Sequence, residues 1–369
     1  MKQIEKRNWN FNNASVAYVF AIVGYFCASI LLTIIVLIAT AGAIATYPES
    51  ANNILSLPWA TYLNIILSEL SFLLVFLICN KKYKKEFLVA SRIKCKPNAL
   101  IIVGTILGSA VLFFGSINSS ELFTHLFSTF AKASAEIAVP LENFGQFLLA
   151  VLLLAVLPAV CEELLFRGLI FNGLKSKLKA PWAILLSATL FALMHMSIFQ
   201  TLHQFVLGVV LATLVYFTGT VVYSMIFHFL NNFLVVFLAY VFPNTSFTFA
   251  TWGTKEVLIS LALFILALCI VALLLYLLRE KNKKQVKNIE NSNQLSWQQI
   301  IATNQQSCEL YELSDQESTS LETNENATLE DKKVGKNNLQ TPHDDSTLGI
   351  ILLSVSVAVA MFMWILNSF

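Results

Sequence analysis

Between Arg7 and Glu49 the chain carries no charged side chain. That run exceeds the roughly 18 uncharged residues that suffice to cross a bilayer as a helix. No other feature constrains the fold as tightly. In hydrocarbon every backbone N–H and C=O must find its partner inside the protein, and a single such run does so as a helix. Comparable runs recur, and they predict nine spans, at about 17–46, 57–79, 99–117, 145–174, 182–199, 202–218, 221–242, 256–278 and 347–367. Composition agrees, because 57% of the 369 residues are hydrophobic and 12% are charged, with a mean hydropathy of +0.69. A soluble domain of this length has too little interior to hide so much apolar surface. The expected fold class is an all-α polytopic membrane protein, a multi-helix transmembrane bundle surrounded by lipid bilayer, with no nucleic-acid partner.

Charge placement predicts the orientation. Lys2, Lys6 and Arg7 precede the first span, and Lys81, Lys82, Lys84, Lys85, Arg92, Lys94 and Lys96 follow the second. Lys175, Lys177 and Lys179 follow the fourth, and Arg279, Lys281, Lys283, Lys284 and Lys287 follow the eighth. Only Lys132 and Lys255 fall on the other side. Basic loops stay in the cytoplasm, so a multi-pass cell-membrane protein is expected, with its amino terminus cytoplasmic and its carboxyl terminus outside. The first apolar run is too long for a cleavable signal peptide and reads as an uncleaved span. Cys27, Cys79, Cys95, Cys161, Cys269 and Cys308 are scattered, without CxxC or Cys/His metal spacing, and read as reduced and structural.

The chain divides into N-terminal transmembrane helices (1–143), a core (144–242), an eighth helix (243–287), a polar loop (288–346) and a C-terminal helix (347–369). Within the loop, eleven acidic residues from Glu290 to Asp345 face only Lys332, Lys333 and Lys336, a net charge of −8. Such a segment buries too little surface to offset chain entropy, so a disordered acidic cytoplasmic loop is expected, serving as a tether for the last span.

Few ionisable residues lie within the spans: Glu69, Glu162, Glu163, Arg167, His195, His203 and His228. Each is costly in hydrocarbon and is therefore a candidate for function. Glu162 lies 13 residues before Lys175 and His195 lies 14 after Pro181, which places both roughly 20 Å deep at 1.5 Å per residue. His228 and Asn232, counted from Thr220, fall roughly 12 to 18 Å deep. Three separate helices thus bring Glu, two His and Asn to one level. Glu163 and Arg167 are four residues apart with the acid first, a favourable ion-pair orientation, while Glu162 points about 100° away. Pro158 stands one turn before Glu162, where a missing hydrogen bond bends a helix. His203 is placed near the opposite end of its span and Glu69 is expected to bond a neighbouring helix. Asn231 and Phe191 are expected to pack.

This set suits amide hydrolysis in a hydrated intramembrane cavity. Glu162 acts as general base on water with His195 orienting it, and His228 and Asn232 donate to the oxyanion. The same atoms allow a second chemistry, with Glu162, His195 and His228 as zinc ligands and one position open. The lack of an HExxH helix leans the reading toward the metal-free form.

"EELLFR" (Glu162–Arg167), "FALMH" (Phe191–His195) and "HFLNN" (His228–Asn232) resemble, in order, the EExxxR, FxxxH and HxxxN motifs of the CAAX-protease and bacteriocin-processing (CPBP, or Abi) family of intramembrane endopeptidases. The resemblance covers about residues 145–240. It implies that Glu162 is the catalytic base, that Glu163 and Arg167 shape the site, that His195 helps to activate water, and that His228 with Asn232 forms the oxyanion site. It also implies a membrane-associated or lipidated peptide or protein as substrate, by a glutamate-type or metal-dependent route. Family members are linked to bacteriocin immunity as well as to peptide processing, so a catalytically idle immunity or regulatory scaffold is the alternative expectation. A transporter would show repeats and glycine-broken helices near the site, and none is seen. The ninth span and its acidic loop depart from the family core.

Overall fold

The computed structural model describes residues 9–46, 58–82, 98–127, 139–243, 253–281 and 347–368. Nine helices follow one another among them: α1 (Phe11–Thr46), α2 (Pro58–Lys82), α3 (Ala99–Phe127), α4 (Phe144–Leu174), α5 (Ala180–Met194), α6 (Ile198–Thr218), α7 (Val222–Val241), α8 (Thr254–Lys281) and α9 (Thr347–Ser368). Their order follows the nine expected spans. Seven are long and apolar enough to cross a membrane, while α5 and the apolar part of α9 are shorter. The protein is a multi-pass helical membrane bundle. The acidic loop 288–346, Cys95, Cys308 and most of the basic loop residues lie outside the described residues. Cys27, Cys79, Cys161 and Cys269 are free thiols.

Polarity runs inside out, as lipid requires. Ile38 is 74% exposed while Glu163 and Arg167 are fully buried. α4 occupies the middle, packed on α2, α5, α6 and α7. On one flank α1 joins α2 and α9; on the other α3 pairs with α8 and braces α7. Close contact at Gly115, where an added Cβ would lie 2.2 Å from the Ala267 Cβ, sets α3 against α8, the small-residue packing that membrane helices use.

α4 is not a regular helix. It runs as α from Phe144 to Val151, as π from Leu152 to Val156, as α from Leu157 to Glu163, and as π again from Leu164 to Phe171. Each wide turn leaves carbonyls poorly served by the helix, and in hydrocarbon they need other donors. Pro158 has no N–H for the Leu154 carbonyl four residues earlier; the Asn232 side chain donates to it from α7 at 3.1 Å. In the second wide segment Asn172 Nδ2 donates to the carbonyls of Arg167 and Gly168, both at 3.1 Å. Trp9 Nε1 donates to the Leu169 carbonyl at 3.0 Å. Gly173 admits that tryptophan, since a Cβ there would stand 2.8 Å from Trp9 Nε1 and 2.4 Å from the Ala14 Cβ. The bend expected at Pro158 is thus a pair of π segments bracketing the two glutamates.

The expected span 182–199 also differs. α5 stops at Met194, with His195 as its C-cap, and Met196 takes a positive φ of 46°. Fifteen residues reach about 22 Å at 1.5 Å each, short of a hydrocarbon core about 30 Å thick. The chain therefore reverses direction inside the bundle, at the depth of the glutamates.

Candidate active site

Glu163 and Arg167 form the fixed half of the site. Arg167 Nη1 donates to Glu163 Oε1 at 2.8 Å, and Nη2 donates to the Gly208 carbonyl on α6 at 3.3 Å. The guanidinium lies over the Phe191 ring, 4.4 Å from its centroid, where the ring's negative face attracts a cation. Gly208 also lets α6 lie close to α5, because a Cβ there would meet the Ala188 Cα at 3.0 Å. One arginine thereby ties α4, α5 and α6 together.

Glu163 Oε1 also accepts from His228 Nδ1 at 3.1 Å. A histidine held through one ring nitrogen presents the other in a fixed direction. His228 Nε2 stands 3.9 Å from Glu162 Oε2, and no donor among the described residues bonds that oxygen. Glu162, buried at 7% exposure, therefore faces the imidazole edge across a gap slightly too long for a direct hydrogen bond.

Of the residues singled out by sequence, Glu162, Glu163, Arg167 and His228 meet directly. His195 does not reach Glu162 among the described residues. Its Nδ1 pairs with the Phe191 carbonyl at 3.0 Å, and its ring packs edge-on against Phe191, 5.0 Å between centroids. His228 packs on the same ring at 5.8 Å, so Phe191 is the common wall of both imidazoles and the arginine. The helix end at Met194 explains the difference: as a cap residue, His195 follows the turn instead of the helical register. Asn232 lies at the expected level, with Nδ2 toward the Leu154 carbonyl and Oδ1 accepting from Asn231 at 3.4 Å.

Three further residues join the site. His203 Nε2 pairs with Asn231 Nδ2 at 3.4 Å, although the span count placed it away from the glutamates. The reversal at His195–Ser197 starts α6 within the bundle and moves His203 to their level. Ser224 stands beside Glu163, fully buried and one turn before His228; the four-residue spacing was a visible signal for it. Glu69 on α2 lies beside Glu162, within hydrogen-bonding reach; its count of 12 residues before Lys81 already puts it near the depth of Glu162.

Glu162, His195 and His228 are not arranged as a three-ligand zinc site. Among the described residues no three His, Cys, Asp or Glu side chains group as a metal centre needs, while the His228 Nδ1–Glu163 pair leaves Nε2 as the open ring nitrogen.

Residues 144–234 match the Rce1-like family, described as type II CAAX prenyl endopeptidase Rce1-like. No curated protein and no solved structure shows a significant match to the chain.

Proposed function

We propose that this chain, with its Rce1-like segment at residues 144–234, is an intramembrane endopeptidase that cleaves a lipidated or otherwise membrane-associated peptide or protein by glutamate-activated water attack. One observation carries the reading. Glu162, with no donor on Oε2, faces a histidine whose orientation is set by a second, ion-paired glutamate.

In the proposed reaction Glu162 takes a proton from water, the hydroxide oxygen bonds to the scissile carbonyl carbon, and the C=O electron pair moves onto oxygen. The imidazolium form of His228, with Nδ1–H on Glu163, donates its Nε2–H to the resulting oxyanion alongside the Asn232 amide. Collapse restores the C=O bond and breaks C–N, and the proton on Glu162 passes to the departing amine. Arg167 positions Glu163, Ser224 supports the same carboxylate, and His195 borders the water approach beside Phe191. The amino terminus is assigned to the cytoplasm from the basic loops.

The test is hydrolysis of a farnesylated peptide ending in a CAAX sequence by protein reconstituted in lipid vesicles, with the cleaved bond read by mass spectrometry. Membrane and secreted proteomes of cells carrying wild type or Glu162→Ala are compared in parallel. Proteolytic products that disappear in the variant at normal expression are expected. A Glu162→Ala protein that cleaves like wild type, or proteomes that do not differ, sinks the reading and favours a scaffold.

A further inference from the structure

Glu69 is as deeply buried as Glu162, at 7% exposure each, and it comes from α2, outside the matched residues 144–234. A membrane-buried carboxyl needs a partner, yet its Oε2 receives no N–H or O–H donor among the described residues, and the same holds for Glu162 Oε2. α2 packs directly on the Leu157–Glu163 segment, with Phe72 and Phe76 in one apolar cluster with Cys161 and Leu165. The remaining polar or charged neighbours of the two carboxyls are Tyr25 on α1, Cys161, Glu163, Arg167 and His228. Arg167 Nη1 is directed to Glu163, and among the described residues no lysine or arginine forms an ion pair with Glu69 or Glu162.

Two carboxyl groups within hydrogen-bonding reach and without other donors are joined by a proton between them. We propose that Glu69 is a positioning residue of the active site: protonated, it donates a hydrogen bond to Glu162 and holds that carboxylate toward the His228 gap. This inference rests on the endopeptidase reading for its catalytic meaning, though not for the pairing itself. The proton count closes over a turnover. The pair begins with one proton, on Glu69; Glu162 gains a second from water; the departing amine takes one, and the pair returns to its starting state.

Two measurements on the full-length protein in lipid nanodiscs separate the pairing from the activity. Infrared spectroscopy reads the band of a hydrogen-bonded protonated carboxyl in wild type, Glu69→Gln and Glu162→Gln. The band is expected in wild type and in neither variant; its persistence in Glu69→Gln overturns the pairing whether or not any peptide is cut. Hydrolysis of the farnesylated CAAX peptide reads the role. Glu69→Leu, which keeps bulk and loses the donor, is expected to lower kcat about 100-fold with KM unchanged. Glu69→Gln, which still donates to Glu162, is expected to restore most of kcat. A Glu69→Leu protein that inserts normally and keeps its kcat overturns the role. If wild type leaves the peptide intact while the band behaves as expected, the endopeptidase reading fails and the pairing stands.

Discussion

Glu162 and Glu163 are adjacent in sequence and both buried, yet they face opposite kinds of surroundings. The Glu163 face of α4 is crowded with partners: an arginine, an imidazole and a serine drawn from α4 and α7, backed by the Gly208 carbonyl and the Phe191 ring. The Glu162 face offers a histidine edge at 3.9 Å and a second carboxyl from α2. An ion-paired network buried inside a membrane protein is a fastener, because breaking any member strands a charge in low dielectric. Glu162 beside it belongs to no such ion pair with an arginine or lysine among the described residues. The contrast supports the proposed division of labour, with architecture at Glu163 and chemistry at Glu162.

That contrast breaks most sharply at Glu162. Glu162→Gln is expected to lower kcat for the farnesylated peptide roughly 100- to 10,000-fold, with thermal stability in detergent unchanged or raised, since a buried carboxylate is replaced by a neutral isostere. A variant that loses its fold together with its activity would erase the distinction between the two faces. Arg167→Met is expected to act in the opposite sense, costing about 3–5 kcal/mol by stranding Glu163. A lowered unfolding temperature checks it, and an unmoved one shows that the network carries no stability. A smaller cost, about 1–3 kcal/mol from overpacking, is expected for Gly173→Ala, which would push Trp9 from the Leu169 carbonyl. Indole hydrogen exchange at Trp9 should rise with it. The smallest expected effect is that of chelation: treatment with a metal chelator should leave the hydrolysis rate unchanged, whereas stoichiometric metal lost in step with activity would transfer the water-activating role from Glu162 to a metal.

Much of the bundle was legible before any coordinates. Uncharged runs and their lengths located the nine helices, because hydrocarbon tolerates no other backbone form. The Glu163–Arg167 pair followed from four-residue spacing, and the common depth of Glu162 and His228 followed from rise per residue. What failed was anything that depended on regular continuation. Counting from Pro181 assumed a helix through His195, and the helix ends one residue earlier; the same assumption displaced His203 from the site. Pro158 signalled a bend, but two π segments and their side-chain caps from Trp9, Asn172 and Asn232 depend on which donors neighbouring helices bring within reach.

By itself, then, the amino-acid order determined that this protein lives in lipid, which residues are too polar to sit there idly, and which of them share a helix face, since these depend on hydropathy and on a repeat of 3.6. Only the tertiary structure decided that His228 joins the Glu163–Arg167 pair and that a carboxyl from α2 meets Glu162. Those outcomes depend on helix rotation and on close approaches at single glycines such as Gly173 and Gly208, and contacts between distant segments leave no periodic trace in one chain.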